Sequence, residues 1–181
     1  MTVVTTIPSP VGPLTLAGEP LPGGGVALVS LSMAAQRHEP AVDSAWTVDP
    51  APFAEVVRQL GEYFAGSRRA FDLPLAPAGT PFQQAVWMAL RAIPYGTTTT
   101  YGAIAAAVGR PTAGRAVGAA IGRNPIGIVV PCHRVVGSGG AITGYAGGID
   151  RKVTLLALEG ALSAERASGA TAATVVDGDR R

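Results

Sequence analysis

The stretch "TTYGAIAAAVGRPTAGRAVGAAIGRNP", residues 99–125, decides the architecture. Thr99 or Thr100 caps a short helix predicted over 99–109, which Gly109 ends. A second helix is expected from about 112 to 121, joined to the first by "GRPT". Two short helices so connected look like a helix-turn-helix, a pattern shared by any tight helical hairpin. The second helix is unusual in composition. It is made of Ala, Gly and Val, with Arg115 and Arg123 as its charges. Each glycine disfavours a helix by ~1 kcal/mol relative to alanine, so Gly114 and Gly118 need a reason. A surface of small residues lets another body approach the backbone closely, and tight helix–helix packing is the plainer account.

Upstream, "TPFQQAVWMALRAI" (80–93) predicts a helix with Thr80 as N-cap and Pro81 at its first position. Phe82, Val86, Leu90 and Ile93 form its apolar stripe. Before it, the pattern changes. "TVVTTI" (2–7), "PLTLAG" (13–18) and "GVALVSLSM" (25–33) read as short strands between turns rich in Pro and Gly. "DPAPFAEVVRQLGEYFAG" (49–66) reads as a helix with Asp49 as cap and Phe53, Val56, Val57, Leu60 and Phe64 on its inner face. "AFDLPLAPAGT" looks like a last strand and a linker. The expected organisation is α+β. A small sheet domain with one helix spans 1–79, and a mainly helical domain carrying the helix-turn-helix spans 80–160. The Ala/Ser/Thr-rich tail 161–181 is expected to be disordered.

Downstream, "IGIVV" (126–130) reads as strand-like or buried. "PCHRVV", the turn "GSGG", a short strand "AIT" and the loop "GYAGG" follow. A final helix is expected over 150–160.

Composition narrows the function classes. About half of the 181 residues are hydrophobic, enough for a core without staples. The single cysteine excludes an intramolecular disulfide framework and points to a reducing compartment. With no secretory signal pattern and no run of ~18 apolar residues, a cytoplasmic setting is expected and a membrane role is not. No Cys/His cluster has zinc spacing, so a structural metal is not expected. Charge is unevenly spread. Residues 1–79 hold four arginines against seven acids, whereas 80–160 hold six arginines and a lysine against Asp150 and Glu159. An anionic partner would bind the second half, although a solvated basic face gives the same count.

The lone thiol, Cys132, follows Pro131 at the end of an apolar segment and precedes His133 and Arg134. Taken alone it packs as readily as a small buried hydrophobe. Nearby positive charge favours a thiolate, and a cysteine with a histidine suggests nucleophilic chemistry. Adjacent residues of an extended segment point to opposite sides. A water bridging thiol and imidazole is therefore expected, with a third group orienting the ring. Glu159, one of only two acids in 80–160, is the candidate.

These motifs together resemble the O6-alkylguanine-DNA alkyltransferase family. The resemblance is carried by "IVVPCHRVVGSGG", "TGYAGG" and "LLALEG", and by "PFQQAVWMALRAIPYGTTTTYGAIAAAVG" and "RAVGAAIGRNP", in order and spacing. It is strong over 80–160. Over 1–79 it holds only in outline, as the family's ribonuclease H-like N-terminal domain. It implies repair of O6-alkylguanine, and of O4-alkylthymine, in double-stranded DNA by irreversible transfer of the alkyl group to Cys132. Each molecule would act once, with no cofactor or metal, as a monomer, with cooperativity along DNA left open.

Residue by residue, the resemblance implies that His133 activates Cys132 through water and that Glu159 orients His133. Tyr101 would donate to the leaving guanine, and Asn124 would bridge the helix-turn-helix to the active-site segment. Arg115 would fill the gap left by a flipped base, the helix entering the minor groove. Ala113, Gly118 and Ala119 would give that helix its small surface, and Arg110 and Arg123 would meet phosphates. Tyr145, Ala146 and Gly147 would wall the base pocket, with backbone groups of Val135 and Ala146 reading the guanine edge. The chain departs from the pattern at Ile121, Gly127 and Ala146, which bears on lesion range. Two other readings compete: a lesion-binding protein without transfer, disfavoured by the presence of Cys132, and a Cys–His acyl-transfer hydrolase, which would want an oxyanion hole.

Overall fold

The computed structural model describes residues 1–162. The expected tail from 163 onward lies outside the described residues. The first part of the chain builds a sheet from β1 (Val3–Ile7), β2 (Leu14–Pro20), β3 (Val26–Met33) and β4 (Thr47–Val48). Its order is β3-β2-β1-β4, with β1–β2 and β2–β3 antiparallel and β4 parallel to β1. The β2–β3 register slips at Ala17/Gly18. Only glycine fits there, because a Cβ on Gly18 would lie 2.0 Å from Val26 Cγ2 and 2.9 Å from the Ala27 carbonyl oxygen.

Helix α1 (Ala54–Phe64) follows a 3-10 turn at Ala51–Phe53, where Asp49 Oδ1 accepts from the Ala51 amide. Its inner face is turned slightly from the expected one. Phe53, Val56, Leu60 and Tyr63 are buried, whereas Val57 is exposed and Phe64 half-buried. Tyr63 continues the 3–4 spacing from Val56 and Leu60, and Val57 falls off that stripe.

The expected strand near residues 70–75 is not formed as a strand. Leu75 makes a single bridge to Leu28, since Pro74 and Pro77 supply no amide donors to extend a ladder. The Leu28 amide donates to the Pro74 carbonyl, and the Ala76 amide to the Leu28 carbonyl.

Helix α2 (Pro81–Arg91) begins with a full capping box between Thr80 and Gln83. The short strand β5 (Thr99–Thr100) leads into α3 (Tyr101–Ala107), whose cap is Thr100, accepting from the Ala103 amide at 3.2 Å. Helix α4 (Gly114–Gly122) follows, and α2, α3 and α4 pack on one another. Trp87 on α2 donates its indole N–H to the Ala120 carbonyl of α4 at 2.9 Å. Strand β6 (Val135–Val136) pairs with β5 in parallel, and α5 (Ile149–Leu158) closes the described chain.

One hydrophobic core runs through both halves, from Leu14, Leu28 and Leu31 through Phe53 and Tyr63 to Val86, Ile126 and Leu155. The fold class is therefore the expected α+β, a sheet domain followed by a helical one.

Candidate active site

The segment Ile126–Val130, read as strand-like or buried, is buried as a turn and not as a strand. Only Ile126 bridges to Leu31; after it, the Val130 amide turns back to the Ile126 carbonyl at 3.0 Å. Ile128 sits at φ 69°, a left-handed conformation unusual for a β-branched residue. Its side chain is fully buried, so packing holds it there. Asn124, at the end of α4, ties the turn from inside. Its Nδ2 donates to the Val130 carbonyl at 2.8 Å, and its Oδ1 accepts from the Ile126 amide at 3.1 Å. The expected strand at "AIT" is also absent, and residues 141–143 form an irregular loop.

Cys132 therefore does not leave an extended strand. It opens a 3-10 turn, Cys132–Arg134, whose amides bond back to Val130 and Pro131. Cys132 is 8% exposed and lines a cavity of about 500 Å³. Burial pushes its thiol above the usual value, while Asn124 and the charge of Lys152 work the other way. At neutral pH it rests as a thiol.

The neighbouring imidazole lies in the same turn. His133 is fully buried, and its Nε2 lies 2.8 Å from Glu159 Oε1. Burial lowers the imidazole pKa against the opposing pull of Glu159, so the ring is neutral at pH 7. Beside a carboxylate, Nε2 carries the proton and Nδ1 is the free acceptor. Nδ1 is the buried side-chain polar atom without a hydrogen-bond partner among the described residues.

Glu159 is the C-cap of α5 and receives more than the histidine. Arg134 Nε donates to Oε2 at 2.8 Å and Arg134 Nη2 to Oε1 at 3.0 Å. Tyr63 Oη donates to Oε1 at 2.7 Å. Burial opposes the charge, but the bonds from His133, Arg134 and Tyr63 hold the carboxyl at about 2. Arg134 and Tyr63 were not among the expected site residues. Arg134 had a signal, as a cation in the Cys132 segment. Tyr63 had none, because 96 residues separate it from its partner.

Tyr101 stands at the start of α3 and on the cavity wall. Its hydroxyl lies 3.4 Å from the Thr143 carbonyl oxygen and 3.5 Å from that of Gly144. Burial raises its pKa, which keeps the phenol a proton donor. Tyr145 and Ala146 line the same cavity, as do Gly118, Ala119 and Arg123 from the helix-turn-helix. Val135 and Gly147 do not. Val135 is fully buried, and its carbonyl accepts from Lys152 Nζ at 2.5 Å. A Cβ on Gly147 would meet Met33 Sδ at 2.7 Å and Tyr145 Cε1 at 2.8 Å. Arg37 and His38, from the loop after β3, complete the cavity rim and had no sequence signal of their own.

Arg115 and Arg123 are exposed on and just after α4. Ala113 is the N-cap position of that helix. Arg110 lies apart from the cavity, its guanidinium 5.4 Å from the centre of the Phe82 ring. A Cβ at Gly114 or Gly122 would meet nothing within 4 Å, and one at Gly118 only an ordinary contact at 4.0 Å. Packing inside the protein does not account for these glycines. Among the described residues, no helix is long and apolar enough to cross a membrane.

Residues 81–161 match the family model described as 6-O-methylguanine DNA methyltransferase, DNA binding domain. Residues 2–77 match the ribonuclease-like domain of the same methyltransferase. A methylated-DNA–protein-cysteine methyltransferase of Mycolicibacterium paratuberculosis is 54% identical over 155 residues, covering 85% of this chain and 90% of its own. One from Methanosarcina acetivorans is 50% identical, covering 84% and 94%. The solved structure of Mycobacterium tuberculosis OGT in complex with DNA superposes with a TM-score of 0.81 at 54% identity, covering 87% of this chain and 92% of that one. With both halves matched in order, the chain belongs to the 6-O-methylguanine DNA methyltransferase family.

Proposed function

We propose that this protein repairs O6-alkylguanine in duplex DNA by taking the alkyl group onto Cys132. One observation carries the reading. The imidazole beside the cavity-lining thiol has its Nε2 committed to Glu159 and its Nδ1 buried without a partner. That is the arrangement of a base that accepts a proton at Nδ1, with a bridging water carrying it from the thiol. The thiolate attacks the saturated carbon on O6. A carbon–sulfur bond forms, the carbon–oxygen bond breaks, and its electron pair goes to guanine. Tyr101, protonated on the cavity wall, supplies the hydrogen bond or proton that the leaving guanine needs. The product thioether resists hydrolysis, so Cys132 is consumed rather than recycled.

Duplex DNA is met by the α4 face. Arg115 there occupies the gap left by the flipped base, and the unpacked glycines let the helix sit in the minor groove. Arg110 and Arg123 meet phosphates in a sequence-independent way. Tyr145 and Ala146 wall the base. A thiol that must stay reduced suits a cytoplasmic setting.

Incubation with duplex DNA carrying O6-methylguanine is expected to add one methyl group to the peptide containing Cys132, read by mass spectrometry. Unmodified protein with the lesion still present sinks the reading. Repeated turnover by one molecule would favour the hydrolase alternative instead.

A further inference from the structure

We propose that the N-terminal domain takes part in the reaction through Tyr63, which acts as a positioning residue for the Glu159–His133 pair. The inference rests on Cys132 being the alkyl acceptor. Tyr63 sits on the last turn of α1, in the sheet domain, and is fully buried. Its hydroxyl reaches across to Glu159 Oε1 at 2.7 Å, the same oxygen that holds His133 Nε2 at 2.8 Å.

Oε1 thus serves three donors, Tyr63, His133 and Arg134, whereas Oε2 serves Arg134 alone. The tyrosine draws charge from the oxygen that orients the imidazole. It fixes the rotamer of Glu159 at a helix end, where the backbone alone leaves the side chain loosely set. The ring is itself held. Phe64, Phe71 and Tyr95 lie with their centroids 5.3, 5.3 and 6.2 Å away. The hydroxyl is therefore delivered by packing that belongs mainly to the N-terminal half. Other charged or titratable groups around this point are Arg134, Lys152 and Cys132 near His133, and Arg69 over the Tyr95 ring.

Removing the hydroxyl while keeping the ring leaves more negative charge for the imidazole and makes it more basic. Tyr63→Phe is expected to move the acid limb of the Cys132 alkylation rate upward by roughly half a pH unit, and to slow the reaction about threefold on that limb. The rate is read with full-length protein and O6-methylguanine duplex. Val56→Ala, which loosens α1 without touching Glu159, is expected to lower stability and leave the limb unmoved. Placing 3-fluorotyrosine at position 63 alone gives a stronger donor with nearly the same shape, and should move the limb down. A limb that coincides with wild type in both Tyr63 variants overturns the proposal, as does an equal shift in Val56→Ala. If Tyr63→Phe does not fold, the fluorotyrosine protein decides alone. Wild-type protein that takes no methyl on Cys132 would overturn the functional reading instead.

Discussion

Lys152 and Tyr101 donate to the same two carbonyl oxygens. Lys152 Nζ lies 2.7 Å from Thr143 O and 3.2 Å from Gly144 O, and the Tyr101 hydroxyl approaches the same pair more loosely. The lysine is fully buried and has no carboxylate partner among the described residues. Its third acceptor is the Val135 carbonyl. It therefore pins the pocket loop to the strand that follows Cys132, from within.

Lys152→Met keeps the length of the chain and deletes these charged hydrogen bonds, each worth about 1.5–3 kcal/mol. Amide exchange over residues 143–148 should accelerate, and alkylation of Cys132 should slow by at least about tenfold, which is ~1.4 kcal/mol. Loss of the nearby ammonium also leaves the Cys132 thiol higher still, so the alkaline rise of the rate moves up in pH. The support has its own limit, because burial pushes Lys152 down to about 8. Exchange and rate profiles indistinguishable from wild type would remove this role.

Much of this was legible in the sequence for physical reasons. Thr80 and Thr100 announce helix starts because their side chains accept from the freed amides, as they do here. Periodicity placed β1, β2 and β3. For Ile126–Val130 it left strand-like and buried open; the segment is buried but forms no strand, because Asn124 satisfies the backbone groups that a sheet neighbour would have paired. That is a tertiary override of local preference. Cys132, His133 and Glu159 stood out by rarity and position. Lys152, Tyr63, Arg37 and His38 did not, since only the folded chain brings a buried ammonium to three carbonyls or an N-terminal hydroxyl to a C-terminal carboxylate.

The Glu159 network makes the fold sensitive to acid. Its carboxyl is held at about 2 against an ordinary 4.5, so its contribution is complete above 4.5 and is lost as pH falls toward 2. His133 has the same sign. Burial lowers its pKa below 6.5, so stability falls as acid forces a proton onto the buried ring. Urea midpoints are expected to decline below pH 6.5 and again below 4.5. In Glu159→Gln the second decline should shrink, from a lower starting stability, because Arg134 is left buried without its partner. Midpoints level from pH 7 to 3.5 would contradict the assignment.

Arg115 is exposed on α4 and stands outside the cavity lining. Its proposed work is on the duplex and not on the reacting atoms. Arg115→Ala should slow repair of O6-methylguanine in duplex DNA by on the order of tenfold or more, since a flipped base leaves unpaid unstacking of a few kcal/mol. Reaction with the free modified base should be nearly unchanged. Equal slowing of both substrates would assign Arg115 to the chemistry or the fold instead.

Gly118 separates protein stability from DNA contact most cleanly. It sits in the middle of α4, on the cavity rim, where an added methyl group would make only an ordinary contact with Tyr101 at 4.0 Å. Gly118→Ala should therefore stabilise the helix by up to ~1 kcal/mol, seen as a higher melting temperature. If α4 presses into a narrow groove, the same methyl group meets DNA, so duplex affinity and repair should fall while free-base reaction persists. A variant that is more stable and repairs duplex DNA at the wild-type rate would show that the small-residue surface is not there for DNA.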